Sequence, residues 1–486
     1  MGLGRSLYFS GLSSVLSFAI QFALSVFVAR MLTPEELGMF GVALAASALV
    51  RAFESAGINN FVASYEKLDD SMMRSVFTIN FLLNIALGLV LWLLAVPLGQ
   101  FFGSDKVGDI LLVTAAATAL NTHKPIIQGL LRRRMNFQGL MMFDFSQVVI
   151  GGIATIAAIA MGYGPLALAL ALVAEKLGAI LVGIIQFRKD IPMAPHMAQG
   201  GTILQYGLSL STATVIGIVG AHANNFILGK ILGLAPSAQF DRALTLPRLI
   251  WSVALPSFHN VLVPGVAKER DDPEGRHRVM QNTLLIFTML IWPAGLVLTL
   301  VSPDMLVTLY GDQWWEAADI APYFVIYSTI MSPITLACSG LVAFGHGGAM
   351  VRIQLAEQGT KILVLFSAFF FGLPELAALM ALPALAYLFT ATGALIKHDL
   401  IEFRQLLAIS LRPIRLSIVA ATPSIIGRYW LAEGAYFTLE ELLALAAITG
   451  MVFVAGLRLL EPVIFERALG VIGVGKKTAD FSEETL

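Results

Sequence analysis

The sequence predicts an all-α membrane protein that crosses the bilayer many times. Of its 486 residues, 57% are hydrophobic and only 13% are charged, and the mean hydropathy is +0.80. An average soluble protein carries about 25% charged residues. Apolar runs of about 20 residues, the length that spans a bilayer as a helix, recur along the chain. The 31 Lys and Arg balance 32 Asp and Glu, so no basic nucleic-acid surface is expected.

We predict about fourteen spans, arranged as two groups of six and a final pair. The first group is 7–29, 38–61, 76–98, 109–131, 140–161 and 164–187. The remaining spans are 206–232, 237–263, 281–301, 317–343, 357–371, 376–396, 414–431 and 442–457. The corresponding domains are a lobe at 1–190, a linker at 191–205, a lobe at 206–398, extra helices at 399–457 and a tail at 458–486. The linker contains the Pro, Gly and charged residues of a loop.

The positions of Lys and Arg predict the orientation. Cytoplasmic loops hold an excess of these residues. Basic residues crowd into alternate loops, for example the three arginines at 132–134 and the pair Arg188 and Lys189. We therefore expect both termini in the cytoplasm, so that the loop after the fourth span and the linker also lie inside.

The outer loop predicted after the ninth span carries three aromatic residues, Tyr310, Trp314 and Trp315. Tyr and Trp favour the membrane–water boundary, where the ring is shielded and its polar atom stays hydrated. We expect these rings to form an interfacial anchor.

An internal repeat relates the two predicted lobes. The segment FVARMLTPEELGMFGVAL at 27–44 aligns without a gap with ILGKILGLAPSAQFDRAL at 227–244. Because six spans separate the copies, both have the same orientation, which predicts two parallel six-helix lobes. Related bundles around a central site are a common architecture for alternating access.

Charged and polar side chains inside the predicted spans mark a candidate site. A charge near mid-bilayer costs at least about 2.5 kcal/mol, so it normally faces a bundle interior or a wet cavity. The candidates for substrate binding are Gln21, Arg51, Lys124, Lys176, Asn225, Arg242 and Arg248. The surplus is basic and would attract an anion such as a phosphate. The alternative is that these residues are paired packing charges or reach the interface.

Acidic residues in the spans are candidates for binding a coupling ion. They are Glu54, Asp144, Glu175 and Asp241. Glu54 follows Arg51 by three positions, which predicts a shared helical face. Asp241 and Arg248 are two turns apart on the predicted eighth span.

Proline is expected to kink the fourth span. His123 and Lys124 stand just before Pro125, which removes a helical hydrogen bond and can turn neighbouring groups inward. In the eleventh span, Glu357 and Lys361 have the spacing of a helical salt bridge, so we expect Lys361 to be structural.

Motifs of enzymes and ATP-driven pumps are missing from the sequence. There is no GxxxxGK[ST], HExxH or GxSxG motif. Cys338 is the single cysteine, which excludes an intramolecular disulfide. We expect no catalytic residue, no metal and no cofactor, with a proton or sodium gradient as the conceivable energy source.

Three segments resemble a known family. ARMLTPEELGMFGVA at 29–43 resembles the end of helix one and the start of helix two in bacterial polysaccharide flippases. LLRRRMNFQ at 130–138 is similar to their basic loop after helix four. The stretch 232–272, which begins LGLAPSAQFDRALTLPR, is similar to their helix seven to nine connection. The chain thus resembles the polysaccharide transporter branch of the MOP (multidrug, oligosaccharidyl-lipid, polysaccharide) exporter superfamily.

The resemblance implies an inner-membrane flippase for an undecaprenyl-pyrophosphate-linked oligosaccharide used in exopolysaccharide or lipopolysaccharide synthesis. It implies two MATE-like lobes around a cationic cavity that opens alternately to each side of the membrane. A polysaccharide polymerase and a chain-length regulator are implied partners. The final helix pair would either guide the lipid tail or simply widen the lobe.

Three other functions stay open at this point. A multidrug cation antiporter of the same superfamily would prefer acidic cavity groups, and the basic surplus disfavours it. A membrane glycan polymerase or ligase would need a large outer loop, whereas the predicted loops are short. A scaffold without transport activity is compatible with the same sequence.

Overall fold

The computed structural model is a chain of helices over the residues that it describes. It describes residues 3–51, 58–66, 68–191, 195–201, 203, 211–430, 436–462 and 465. The elements begin with α1 (Leu3–Met31), α2 (Pro34–Val50), α3 (Ile58–Ser64), α4 (Asp70–Phe102), α5 (Asp105–Ala119), α6 (Lys124–Arg133), α7 (Phe137–Ala160), α8 (Leu166–Gln186) and α9 (Ser211–Ile231). They continue with α10 (Leu234–Ala243), α11 (Thr245–Lys268), α12 (Pro273–Tyr310), α13 (Trp315–Ala343), α14 (Gly347–Phe366), α15 (Leu373–Leu379), α16 (Ala381–Lys397), α17 (Phe403–Trp430) and α18 (Leu439–Leu460).

These helices have the dimensions of a membrane protein. Within the described ranges, eight helices are long and apolar enough to cross a bilayer, or nine if α5 and α6 are counted as one bent span. The described parts of the predicted spans fall on helices or helix pairs, and the same ranges contain no strand. The all-α membrane fold is therefore confirmed, while the number of fourteen spans stays a prediction.

The two copies of the repeat have matching helix boundaries. α1 and α2 meet at 31–34, and α9 and α10 meet at 231–234. The turns differ in chemistry. Thr33 caps α2 by accepting a hydrogen bond from the Glu36 N–H at 3.3 Å, whereas Gly233 makes the second turn at a φ of 104°, which favours glycine.

The helices form two compact units. The first comprises Met1–Asp241 and Gln358–Leu376, and the second comprises Arg242–Glu357 and Ala377–Leu486. Large apolar side chains such as Phe61 in the first unit and Phe287 in the second are buried in separate cores. The polar groups discussed below are embedded beside these cores.

α2 ends inside the predicted second span. The sequence predicts helix throughout 38–61, but α2 ends at Val50 and the next described helix begins at Ile58. Near this end the Ser47 hydroxyl donates to the Ala43 carbonyl at 2.9 Å. Such local bonds compete with propagation of a helix.

The predicted eighth span is also two helices. α10 and α11 are separated at Leu244, so Asp241 and Arg248 do not share one continuous helical face, contrary to the sequence prediction. Pro247 lies in the first turn of α11, where no helical hydrogen bond needs its missing N–H.

α12 continues well past residue 301, where the predicted ninth span ends. Pro303 lacks the N–H that would bond the carbonyl of Thr299, and the Ser302 hydroxyl donates to that carbonyl instead at 3.2 Å. Such replacement lets membrane helices tolerate proline. The helix therefore carries Asp304 into the protein interior instead of a loop.

The aromatic anchor predicted for this region is wrong for two of its three rings. Tyr310 and Trp314 are fully buried, and Trp315 is exposed. Continuation of α12 turns the first two rings inward. There the guanidinium of Arg242 lies 4.6 Å from the ring centre of Tyr310 and 4.8 Å from that of Trp314, a cation–π arrangement.

Candidate functional site: a broken helix in the first unit

α5 and α6 are two halves of one bent span. They meet at 41° across residues 120–123, which confirms the predicted kink before Pro125. The carbonyl of Thr122, in the break, accepts a hydrogen bond from Asn80 Nδ2 at 2.7 Å. Asn84 Nδ2 in turn donates to Asn80 Oδ1 at 3.0 Å. We define the helix-break site as Asn80, Thr122, His123, Lys124 and Glu175.

His123 lies in the break and is only 5% exposed. Its Nδ1 is 2.8 Å from the hydroxyl of Thr122, and the ring of Phe77 packs edge-on at 5.5 Å between centres. The Nε2 atom is buried without a hydrogen-bond partner among the described residues. The ring also presses against α8 at Gly183, where a Cβ atom would lie 2.3 Å from the imidazole Cδ2.

Lys124 and Glu175 form an ion pair between α6 and α8. The distance from Nζ to Oε2 is 3.8 Å, and the side chains are 25% and 23% exposed. Glu175 packs against α7 at Gly151, where a Cβ would lie 2.6 Å from Oε1. Because the pair is long and mostly withdrawn from water, it provides little net stabilisation. Both residues are sequence-predicted candidates, and the structure brings them together.

A second polar link joins α6 to α7. Gln128, one turn beyond Lys124, donates from Nε2 to Asp144 Oδ1 at 2.8 Å. Gln147, almost one turn further along α7, is buried, and its Oε1 has no hydrogen-bond partner within the described part of the chain. Lys176, next to Glu175, is buried as well. Polar groups thus follow the contacts among α6, α7 and α8.

The other sequence-predicted residues of the first unit lie on α1, α2, α9 and α10. Gln21 is exposed on α1, and Arg51 is the half-buried residue at which α2 ends. Asn225 is buried on α9, and its carbonyl accepts from the Ser237 hydroxyl at 3.4 Å. Asp241 is half-buried in the last turn of α10. Glu54 lies outside the described residues.

The two remaining basic candidates belong to the second unit. Arg242 stacks on the buried rings of Tyr310 and Trp314, so its planar face is engaged with protein. Arg248 occupies the first turn of α11 with an exposed side chain. Of the two, Arg248 is better placed to reach a solute without local rearrangement.

The second unit also contains a buried carboxylate that the sequence analysis missed. Asp304 is fully buried on α12. Its Oδ1 accepts from Arg428 Nη1 at 2.8 Å and from the Phe437 N–H at 3.0 Å. Thr308, one turn later, donates to the Phe437 carbonyl at 2.6 Å. These residues form the Asp304 site, which fastens α12 to the end of α17 and the start of α18.

The helix-break site has the chemistry of ion binding. Broken helices within membrane proteins place helix ends and backbone groups where ions and anionic substrates bind. The N-terminus of α6 and Lys124 can attract an anion, whereas Glu175 and His123 can take up a proton. Across the described residues, no group of three or more His, Cys, Asp or Glu is placed to hold a metal ion.

The chain is similar to curated proteins of polysaccharide biosynthesis. It is 23% identical to the succinoglycan biosynthesis transport protein ExoT of Rhizobium meliloti (strain 1021), over 98% of this chain and 96% of that protein. It is 21% identical to the lipopolysaccharide biosynthesis protein WzxC of Escherichia coli (strain K12), over 63% and 62%.

Solved structures share the fold. A lipid II flippase, MurJ, in an inward closed conformation matches with a TM-score of 0.73 and 14% identity, over 95% of this chain and 99% of that one. An inward-facing MATE multidrug transporter matches with a TM-score of 0.56 and 14% identity, over 78% and 96%. At this identity the likeness concerns the fold alone, which is the MOP-type helical fold.

The family itself is established by a profile described as "Polysaccharide biosynthesis protein", which matches residues 27–319. This match includes the helix-break site and the whole of α12, and it agrees with the resemblance inferred from the sequence motifs. The chain therefore belongs to the polysaccharide biosynthesis protein family.

Proposed function

We propose that the protein flips an undecaprenyl-pyrophosphate-linked oligosaccharide repeat from the cytoplasmic to the periplasmic leaflet by alternating access. The proposal rests on one observation: this chain, which belongs to the family, has Lys124, Glu175 and Lys176 inside spanning helices. Charges in a bilayer are costly and typically mark a path for substrate or ions. The names of two relatives, a succinoglycan biosynthesis transport protein and a lipopolysaccharide biosynthesis protein, support a role in exopolysaccharide or lipopolysaccharide synthesis.

Basic side chains supply the attraction for the pyrophosphate. Phosphate oxygens accept short, charge-assisted hydrogen bonds from Arg and Lys. The proposed contributors are Arg51, Lys124, Lys176, Arg242 and Arg248, with Gln21 and Asn225 available for hydrogen bonds to sugar hydroxyls. The exposed Arg248 is the most accessible of them.

A proton or sodium gradient is the proposed energy source. Asp144 and Glu175 are acidic residues on helices long and apolar enough to span the bilayer. Both make single, replaceable polar contacts, to Gln128 and Lys124 respectively. An ion that displaces one of these contacts would alter the packing of α6 against α7 or α8.

The polyprenyl tail of the cargo is proposed to follow α18. An apolar groove of about 950 Å³ lies along this helix, lined by residues that include Gly450, Met451 and Val454. Gly450 leaves open space beside the helix. The complete pathway includes a polysaccharide polymerase and a chain-length regulator as partners, and both termini of this protein are proposed to be cytoplasmic.

The decisive experiment compares a deletion strain with the same strain carrying the gene on a plasmid. The proposal expects loss of surface polysaccharide and accumulation of the lipid-linked repeat on the cytoplasmic side, both reversed by the plasmid. A normal lipid-linked pool and normal polysaccharide would contradict the flippase. Altered drug tolerance with an unchanged pool would favour the multidrug antiporter.

Arg248→Glu tests the basic path within the proposal. We expect surface polysaccharide to fall at least tenfold while the amount of protein in the membrane stays normal, because a negative charge repels the pyrophosphate. Arg188→Glu reverses another exposed arginine, just before the predicted linker, and should leave polysaccharide near normal. Normal polysaccharide in the Arg248 variant would remove Arg248 from the path.

A further inference from the structure

One group in the helix-break site is packed in a way that the proposed cargo does not explain. His123 is buried, its Nδ1 is satisfied by Thr122, and its Nε2 has no hydrogen-bond partner in the described ranges. Leaving a buried polar atom without a partner costs about 1–3 kcal/mol. Such a group in a native structure calls for a functional explanation.

The surroundings accommodate only the uncharged imidazole. α4 presents Phe77 and the amides Asn80 and Asn84 to the break, none of which carries a charge. α8 approaches with Gly183. A second N–H on the ring would be a charged donor without an acceptor, which is strongly unfavourable in a buried site.

Charged neighbours reinforce this preference in the packed state. Apart from Asp70 and Arg74 at the start of α4, Asp105, Lys106 and Asp109 at the start of α5, and Arg132 and Arg133 at the end of α6, the ionisable side chains on the helices around the break are four. They are Lys124, Asp144, Glu175 and Lys176. The first is adjacent to His123 and positive, and Glu175 and Asp144 are already engaged with Lys124 and Gln128. A proton on His123 would therefore gain an acceptor only if one of these contacts, or the packing of the break, came apart.

We infer that His123 is a proton-binding site whose protonation opens the break between α5 and α6. The opened break exposes Nε2 to water or to Glu175, whose 3.8 Å pair with Lys124 is readily given up. The imidazole gains one proton and one positive charge, and no covalent bond other than N–H forms. Because the proton binds the opened state and is rejected by the packed one, acid shifts the population toward opening.

This inference rests on the proposed function and names the residue at which the coupling proton is bound. It also distinguishes His123 from His196, another described histidine of the first unit. The Nε2 of His196 is 3.0 Å from the Ser71 hydroxyl and thus has a partner. His196 is therefore a matched control within the same unit.

The test measures hydrogen exchange of the backbone amides at residues 121–127 in the full-length protein in lipid nanodiscs, without cargo. Protection factors, corrected for the intrinsic effect of pH on exchange, are compared between pH 8 and pH 5. The variants are His123→Gln, which cannot take a proton, and His123→Asn, which retains a polar atom near Nδ1. His196→Gln serves as the control.

The wild type should lose protection below about pH 6.5, where an exposed histidine takes up a proton, by up to about tenfold per pH unit. The His196 variant should behave in the same way. Either His123 variant that remains folded should keep constant protection. Protection independent of pH in the wild type, or the same pH dependence in the His123 variants, would overturn the inference.

Surface polysaccharide provides a second readout. We expect His123→Gln to lose at least 90% of the polymer at a normal amount of membrane protein. Full polymer in this variant would overturn the role of the proton at His123 but leave the flippase intact. The flippase itself fails only if the deletion strain keeps a normal lipid-linked pool, so the two failures are distinguishable.

Discussion

The helix-break site in the first unit and the Asp304 site in the second both bury charged groups, but they hold them differently. Asp304 is fully enclosed and makes two hydrogen bonds of 2.8 and 3.0 Å. Lys124 and Glu175 are a quarter exposed and 3.8 Å apart, beside an imidazole nitrogen without a partner in the described structure. Asp304 is thus held through Oδ1 by two short hydrogen bonds, although its Oδ2 has no partner among the described residues, whereas the Lys124–Glu175 pair is long and partly exposed.

This difference indicates two roles: the Asp304 site holds helices together, and the helix-break site can rearrange. Removing one partner of a short pair with a fully buried carboxylate leaves polar groups without a partner, so such a pair resists rearrangement. A site with a long ion pair and an unsatisfied nitrogen loses little when it rearranges, and it can gain hydrogen bonds in the process. We therefore expect substitutions at the Asp304 site to affect stability, and those at the helix-break site to affect transport.

Asp304→Ala should have the largest effect on stability. It strands the Phe437 N–H and leaves Arg428 without this carboxylate, and we expect the free energy of unfolding to fall by about 3 kcal/mol. The estimate is at the low end because Arg428 is 47% exposed and can be hydrated. Thermal unfolding in detergent micelles measures the change.

Arg428→Ala is the comparison for this prediction. It should cost a similar amount, because the fully buried Asp304 carboxylate loses its cation and keeps only the Phe437 N–H as a donor. If the Asp304 variant is as stable as the wild type but loses polysaccharide, Asp304 takes part in transport. The two sites would then not differ in role.

Gly183→Ala tests the packing of the helix-break site. The added methyl would lie 2.3 Å from the imidazole of His123, so the ring or α8 must move. Overpacking of this kind costs about 1–3 kcal/mol. Gly359→Ala is the control, because that helical glycine has open space beside it and the substitution should be neutral or slightly stabilising.

A double variant sharpens this test. Combining Gly183→Ala with His123→Ala removes the ring that the methyl would strike, and unfolding measurements should show that the second substitution recovers most of the stability. The double variant should nevertheless make no surface polysaccharide, because it lacks the proton-binding imidazole of His123. If Gly183→Ala alone unfolds like the wild type, the close packing of His123 is incorrect.

Much of the fold could be predicted because hydrophobic length and proline are local signals. Apolar runs located the helices, and Pro125 located the bend that positions His123 and Lys124. The sequence indicates Lys124 and Glu175 separately, because each is a charged residue in an apolar stretch. Their contact depends on the packing of α6 against α8, which no local pattern contains.

The Asp304 site could not be predicted for a similar reason. A proline followed by an aspartate is typical of a loop, and only the Ser302 hydroxyl, which replaces the missing hydrogen bond, lets α12 continue. The available signal was the placement of Asp304 and Arg428 on the same predicted side of the membrane. Opposite charges on one side suggest a pair, but they do not reveal its burial.

Lys361→Ala should have the smallest effect and tests whether every charge in the first unit belongs to the helix-break site. Its ammonium donates to the Gly220 carbonyl of α9 at 2.9 Å, a charge-assisted bond to a group that can also bond within its own helix. We expect a loss of about 1 kcal/mol in the free energy of unfolding and nearly normal polysaccharide. Lys361→Met retains most of the apolar stem and should be milder still. If both variants lose polysaccharide at a normal amount of membrane protein, Lys361 takes part in transport. The first unit would then contain a charge that holds two helices together and is also needed for transport.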